Sequence, residues 1–298
     1  MSRRGGQRGP DGVAVVDKDA GWTSHDVVAK ARGILGTRKV GHSGTLDPDA
    51  TGVLVLGVGR ATRLLRFLQL LPKSYEAEIR FGTETTTLDS AGEVVAVHDM
   101  TGLDPDAVRR GAAALTGDIE QVPPMVSALK VDGRRLHELA REGIEVERKP
   151  RPVHVARFDV VPTEDPLVWR AIVDCSSGTY VRSLAADLGR ALGGGAHLSG
   201  LRRTAVGAFT LADAQPLEQV TLRPLVDAAR GFDSIRIDDD LRAAVAVGSV
   251  LDAEQLGAVG VGPWFVVDPA GELVAVYEPH RHPGRVKPAV VLLGNDDR

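Results

Sequence analysis

Ser74 to Phe81 alternates without a break: Tyr75, Ala77, Ile79 and Phe81 are apolar or aromatic, and Ser74, Glu76, Glu78 and Arg80 are polar. A period of two marks a strand buried on one face, so the pattern puts Tyr75 on the core side. A different period appears earlier. Val27, Val28, Ala31, Ile34 and Leu35 recur at helical spacing behind Thr23 and Asp26, a capping-box start, and Gly36 stops the run. Ala61 to Leu71 also reads as helical, with Leu64, Leu65, Leu68 and Leu71 on one face and Pro72 closing it. Asp104-Pro105 opens a third helix that ends near Gly117, and Val181 to Leu192 forms a fourth. Strands are predicted at Val13–Val16, Val53–Leu56, Gly92–His98, Val153–Val161, Leu167–Asp174 and Leu201–Phe209.

Helices and strands are interspersed, several strands follow one another directly, and no regular βαβ repeat appears. That order favours a mixed α+β domain over a doubly wound parallel sheet. Between Val122 and Pro152 the pattern weakens into Pro123-Pro124 and a short basic helix around Arg134 to Arg141, as in an arm inserted into the domain. An acidic stretch at Ile235 to Asp240 marks a boundary. Beyond it, Trp264–Val267, Leu273–Tyr277 and Ala289–Leu293 read as strands of a small β-rich module. The expected organisation is a loose tail over residues 1–10, a main domain over 11–235 carrying the arm at 122–152, and a β module over 236–298.

Composition narrows the class. No apolar run reaches the roughly 18 to 20 residues that span a bilayer. The arginine- and glycine-rich start lacks the apolar core of a secretory signal. A single cysteine, Cys175, excludes an intramolecular disulfide and fits a reducing cytoplasm, and its expected state is a buried structural thiol. Eight histidines show no metal-ligand spacing, so no metal is expected. A net charge of −4 argues by itself against a nucleic-acid partner. The distribution argues the other way. Arg60, Arg63, Arg66, Lys73 and Arg80 form one basic group, and Lys130, Arg134, Arg135, Arg141, Arg148, Lys149 and Arg151 form another, the second diluted by five acids.

The candidate chemistry is concentrated in Gly41 to Leu54, which reads G-H-S-G-T-L-D-P-D-A-T-G-V-L. Asp-Pro and the flanking glycines break helix and strand, so Asp47 is expected at a loop tip, anchored by the apolar run that follows. A carboxylate so placed can serve as nucleophile or base. The string resembles the catalytic loop of the bacterial tRNA pseudouridine-55 synthases, the TruB family. Three further segments are similar to that family in the same order. They are Lys18-Asp19-Ala20-Gly21-Trp22-Thr23-Ser24, with Asp19 in place of a proline; Lys73-Ser74-Tyr75-Glu76; and Gly178-Thr179-Tyr180-Val181-Arg182-Ser183-Leu184 with the later Leu201-Arg202-Arg203. Thr85-Thr86-Thr87 stands where the family usually has T-D-T, and Asp89 is the acid that remains nearby.

The resemblance implies a mixed, mostly antiparallel sheet with flanking helices, and an RNA-binding role for the C-terminal β module. It implies isomerisation of a uridine in the T-stem-loop of tRNA, with the base flipped into the pocket and neither cofactor nor metal. Asp47 would be the nucleophile. Tyr75 would stack on the base and relay a proton, and Arg182 would pair with Asp47. His42 would hold the RNA loop open, while Tyr180 and Leu201 would line the cavity. A cytoplasmic, monomeric enzyme without a guide RNA or membrane partner is the expectation. Three other readings remain at this point: a non-catalytic RNA-binding or RNA-folding module, an aspartyl phosphotransferase needing a carboxylate-bound Mg²⁺, and the RNA-guided relatives of the same family.

Overall fold

The computed structural model describes residues 9–293, apart from 128–129, 132–133, 137–141, 143 and 145. Its centre is a ten-stranded mixed sheet. The main strands are β1 (Gly12–Lys18), β2 (Thr51–Val58), β3 (Lys73–Phe81), β4 (Gly117–Gln121), β5 (Arg151–Pro162), β6 (Val168–Cys175), β7 (Ala196–Val206) and the short β8 (Gln215–Pro216). They lie in the order β8-β1-β2-β7-β3-β6-β5-β4, with Val40–His42 added to β2 and Phe209–Thr210 to β7. Among these eight main strands only the β1–β8 and β2–β7 pairs are parallel. The α+β architecture with a mostly antiparallel sheet is the one expected.

In β3 the burial follows the alternation of the sequence, with Tyr75, Ala77, Ile79 and Phe81 inside and Glu76 and Glu78 outside. That inner face packs with Trp169, whose ring meets Phe81 edge-on at 6.3 Å between centroids. Two helices cover it, α2 (Pro105–Ala114) and α3 (Val181–Ala191). Full burial of each such aliphatic or aromatic side chain stabilises the fold by about 1.5–3 kcal/mol. On the other half of the sheet, α1 (Ser24–Ile34) packs Val27, Val28 and Ala31 against Val16, Leu54 and Leu56. Its start is the expected capping box, Thr23 accepting from the Asp26 N–H and Asp26 from the Thr23 N–H.

Four expectations change. Ala61–Leu71 is not one helix: a 3₁₀ turn at Gly59–Leu64 leads into a single α turn at Leu65–Leu68. The Thr62 hydroxyl donates to the Gly59 carbonyl inside that turn at 2.7 Å. β7 begins at Ala196, not Leu201, because pairing with β3 carries the strand through Gly200 with two register shifts. Arg134–Arg135 pairs with Lys130–Val131 as a small ladder where a basic helix was expected. Residues 132–133 between them and the rest of that helix, 137–141, lie outside the described residues, as does most of the expected tail.

The second sheet holds β9 (Asp233–Arg236), β10 (Leu251–Asp252), β11 (Trp264–Val267), β12 (Leu273–Pro279) and β13 (Arg285–Val291), ordered β9-β11-β12-β13-β10. The expected boundary at 235/236 therefore cuts a strand, since β9 pairs in parallel with β11 from Asp233 onward. The acidic stretch instead starts helix α4 (Asp239–Ala246), with Asp238 accepting from the Leu241 N–H. This module shares a core with the main sheet: Phe265 stacks on Phe232 at 4.4 Å and meets Phe67 edge-on at 5.8 Å. No helix among the described residues is long and apolar enough to cross a membrane.

Candidate active site

The Asp47 loop leaves the sheet after His42 and rejoins it at Thr51, and groups outside the loop hold it from three sides. Ser24, at the start of α1, accepts from the Leu46 N–H at 2.8 Å and donates to the Leu46 carbonyl at 3.1 Å. Lys18, 1 % exposed at the end of β1, donates to the carbonyls of Asp19, Trp22 and Pro48 at 2.9, 2.6 and 2.8 Å. Burial lowers its pKa to about 8, in part offset by Asp49 and Asp47. From below, Arg203 of β7 donates to the carbonyls of Val53, Thr45 and Gly44 at 2.7, 3.3 and 3.2 Å. Gly52 makes this possible. Its φ is +99°, and a Cβ there would lie 2.2 Å from the Arg203 carbonyl oxygen.

Arg182 reaches the loop from the opposite wall, at the second residue of α3. The helix start is fixed by the buried Gln121 side chain, which accepts from the Tyr180 N–H at 2.7 Å and donates to the Tyr180 carbonyl at 3.1 Å. The Arg182 guanidinium meets Asp47 side-on, Nε to Oδ2 at 3.1 Å and Nη2 to Oδ1 at 3.4 Å. Its remaining donors go to Asp89 at 3.3 Å and to the carbonyls of Thr87 and Val126 at 2.9 and 2.8 Å. The arginine side chain is 5 % exposed, whereas Asp47 is 40 % exposed and opens into the cleft. The protein walls push the Asp47 pKa above the ordinary carboxylate value, and Asp89 adds to this; Arg182 and Lys18 pull it back without cancelling the rise.

Between the two walls lies a cleft of about 520 Å³ whose lining includes all six residues singled out in the sequence: His42, Asp47, Tyr75, Tyr180, Arg182 and Leu201. Burial raises the Tyr75 pKa, with the Arg203 guanidinium beside it as the main opposing influence, so the phenol stays protonated. The His42 ring accepts from the Gly44 N–H at Nδ1 (3.3 Å) and meets His25 edge-on at 5.3 Å. Burial and His25 lower its pKa, which keeps the ring neutral. Lys73, also lowered to about 8 by burial, and the buried Ser43 complete the rim. Among the described residues, no three His, Cys, Asp or Glu side chains come together as a metal site requires.

Asp89 was not identified from sequence as part of the site, yet it is the second carboxylate on Arg182. Its Oδ1 accepts from the Thr87 hydroxyl at 2.5 Å and the Ala91 N–H at 3.1 Å, which aims Oδ2 at the guanidinium. Lys18 and Arg203 were visible only as members of matching segments.

Comparison with known proteins gives the family of the chain. Residues 32–181 match the model of the TruB family pseudouridylate synthase N-terminal domain, and residues 182–246 match that of the tRNA pseudouridylate synthase B C-terminal domain. The chain belongs to the TruB family. The TruB protein of Rhodococcus jostii (strain RHA1), a tRNA pseudouridine synthase B, is 53 % identical over 277 residues, 90 % of each chain. That of Streptomyces coelicolor is 46 % identical over 296 residues, 95 % of this chain and 97 % of the other. Among solved structures, a Cbf5-Nop10-Gar1 complex superposes with a TM-score of 0.72 at 27 % identity, over 96 % of this chain and 86 % of that one. The seam between the two TruB models falls between Val181 and Arg182, so Asp47 lies in the first and its cation opens the second.

Proposed function

We propose that this cleft converts uridine to pseudouridine at position 55 of tRNA, in the T-stem-loop, with Asp47 as nucleophile. The observation that carries the reading is the Asp47 carboxylate, held by a buried forked arginine and open to a cleft that ends on Tyr75. The reaction breaks the C1′–N1 bond, turns the uracil and joins C1′ to C5. One proton leaves C5 and N1 gains one, so the exchange is redox-neutral and needs no cofactor. A carboxylate serves here by attacking a carbon of the nucleotide or by stabilising an oxocarbenium-like sugar, a logic shared with glycosidases.

Each wall then has a task. Arg182 keeps Asp47 ionised against a setting that favours the neutral acid. Lys18, Ser24 and Arg203 fix the loop that carries it, so little reorganisation is left for the reacting complex. Tyr75, a phenol at working pH, stacks on the uracil and relays the C5 proton. The target uridine is extruded from its loop to enter the cleft, with His42 holding the loop open and Tyr180 and Leu201 forming the sides. The enzyme acts alone. Identity of 53 % over most of a bacterial tRNA pseudouridine synthase, against 27 % to Cbf5, supports a stand-alone protein over a guide-RNA complex.

Tritium release from [5-³H]uridine-labelled tRNA tests the proposal, comparing wild type with Asp47→Ala without added cofactor. Release by wild type alone is expected. Tight tRNA binding with no release by wild type would move the chain to the RNA-binding reading, and turnover by the variant would remove Asp47 from its role.

A further inference from the structure

We propose that Leu88 is a positioning residue for the isomerase: its left-handed turn sets the Thr87 carbonyl and the Asp89 carboxylate on one nitrogen of Arg182. The role rests on the reading of Asp47 as the reacting carboxylate. Among the described residues other than glycine, Leu88 alone has a φ in the left-handed region, +63°. That conformation crowds Cβ against the following carbonyl, so residues with a bulky side chain rarely take it. Where one does, the surrounding structure over-determines it, and such places cluster at functional sites. The Leu88 side chain is only half-buried, so the packing of a fully buried group does not impose the turn.

Backbone bonds on both sides impose it. The Leu88 N–H donates to the Thr85 carbonyl at 3.2 Å, and the Leu88 carbonyl accepts from the Leu198 N–H of β7 at 3.0 Å. Two residues on, the Ser90 N–H donates to the Leu198 carbonyl at 3.1 Å, so Asp89 lies beside Leu198 as a parallel bridge. The Asp89 carbonyl accepts from the Thr85 hydroxyl at 2.7 Å and from the Gly92 N–H at 3.2 Å. Gly92 lets the loop close this tightly, since a Cβ there would lie 2.7 Å from the Thr87 backbone nitrogen.

The turn has a result at the arginine. Arg182 Nη1 lies 2.9 Å from the Thr87 carbonyl oxygen and 3.3 Å from Asp89 Oδ2. An extended residue 88 would set its two neighbours about 7 Å apart along a strand, whereas the turn brings both round to a single donor. With Nη1 so occupied, Nε and Nη2 are the nitrogens that face Asp47. The turn thus decides which edge of the guanidinium meets the reacting carboxylate. A substitution at Leu88 should be felt according to how easily the new residue takes a positive φ, and not according to its size.

The experiment compares Leu88→Val and Leu88→Gly with wild type, each with and without Asp89→Asn, by tritium release from labelled tRNA across pH and by denaturant unfolding. Valine is β-branched and resists the turn, so kcat should fall about threefold to tenfold, the scale of one hydrogen bond. Burial raises the Asp47 pKa, Arg182 and Lys18 oppose the rise, and Asp89 and Asp49 add to it. With Asp89 drawn away, the acid limb of the pH–rate profile should move to lower pH. Glycine takes the turn freely and should keep the wild-type limb although it loses the whole side chain. In the Asp89→Asn background, Leu88→Val should move the limb no further. A valine limb that stays in place, a glycine limb that shifts with it, or a valine effect that persists in full without Asp89 would overturn the proposal. Denaturant midpoints repeat the test without turnover: the losses from Leu88→Val and Asp89→Asn should be less than additive. Additive losses count against the turn even where wild type releases no tritium, the result that would sink the isomerase reading instead.

Discussion

The two walls of the active-site cleft each bury an arginine, and they satisfy it in opposite ways. On the α3 side, Arg182 sits between two carboxylates, Asp47 and Asp89, so that wall carries more negative than positive charge. On the sheet side, Arg203 is 1 % exposed and donates to three carbonyls, none of which bears a formal charge. Its positive charge remains uncompensated locally, and it is felt: it lowers the pKa of Lys73, opposes the rise at Tyr75 and helps keep His42 neutral. The same side chain thus serves two ends. Arg182 opposes the rise in the Asp47 pKa, and Arg203 holds the loop that carries Asp47.

Removing Arg182 should break the arrangement most completely. Arg182→Met leaves two carboxylates facing each other without a cation, and stability should fall toward the lower end of about 3–5 kcal/mol, because Asp47 opens to water. Turnover should drop roughly 10²–10³-fold. Denaturant unfolding and tritium release read the two effects, and near-normal turnover in a folded variant would dismiss the pairing as decoration. Arg203→Lys is the milder test of the other wall. A single ammonium nitrogen cannot reproduce the planar spread by which Nε reaches Val53 while Nη1 and Nη2 reach Thr45 and Gly44. A stability loss of about 1–3 kcal/mol is therefore expected, read from the denaturant midpoint, with kcat/KM lowered as the loop shifts. A wild-type midpoint would show that the carbonyls find water instead. Asp89→Asn should do least, less than about tenfold in kcat, the scale of one hydrogen bond. Its signature is in pH. Asp89 raises the Asp47 pKa, so neutralising it lets Asp47 ionise at lower pH, and the acid limb of the pH–rate profile should move down. A limb that stays or moves up contradicts the electrostatic role given to Asp89.

The parts of this site that sequence could reveal were those written locally. The alternation of β3 placed Tyr75 correctly because no bulge interrupts its pairing with β6. The breaks at Leu198/Gly200 and Arg203/Ala205 destroy the same kind of parity in β7, so the facing of Arg203 was hidden and the strand start was misplaced. Asp89 escaped for another reason. Its partner lies far along the chain, and the threonines before it gave no sign that their loop would bring a carboxylate onto Arg182. The second sheet was legible from its apolar runs, but β9 was not, since a four-residue strand with one half-buried apolar side chain has no periodicity to read.

Asp47 and Arg182 stand 135 residues apart, and that separation has a consequence for synthesis. At ribosomal rates of about 5–20 residues per second, on the order of ten seconds pass between the making of the carboxylate and of its cation. Of the two sheet neighbours of β3, β6 begins at Val168, late in that interval, and β7 at Ala196, after it. Until both are made the nascent chain carries an apolar strand with at least one open edge, the kind of surface that invites aggregation. The chain is thus most exposed to aggregation during translation, until β7 has been made and β3 is paired on both sides.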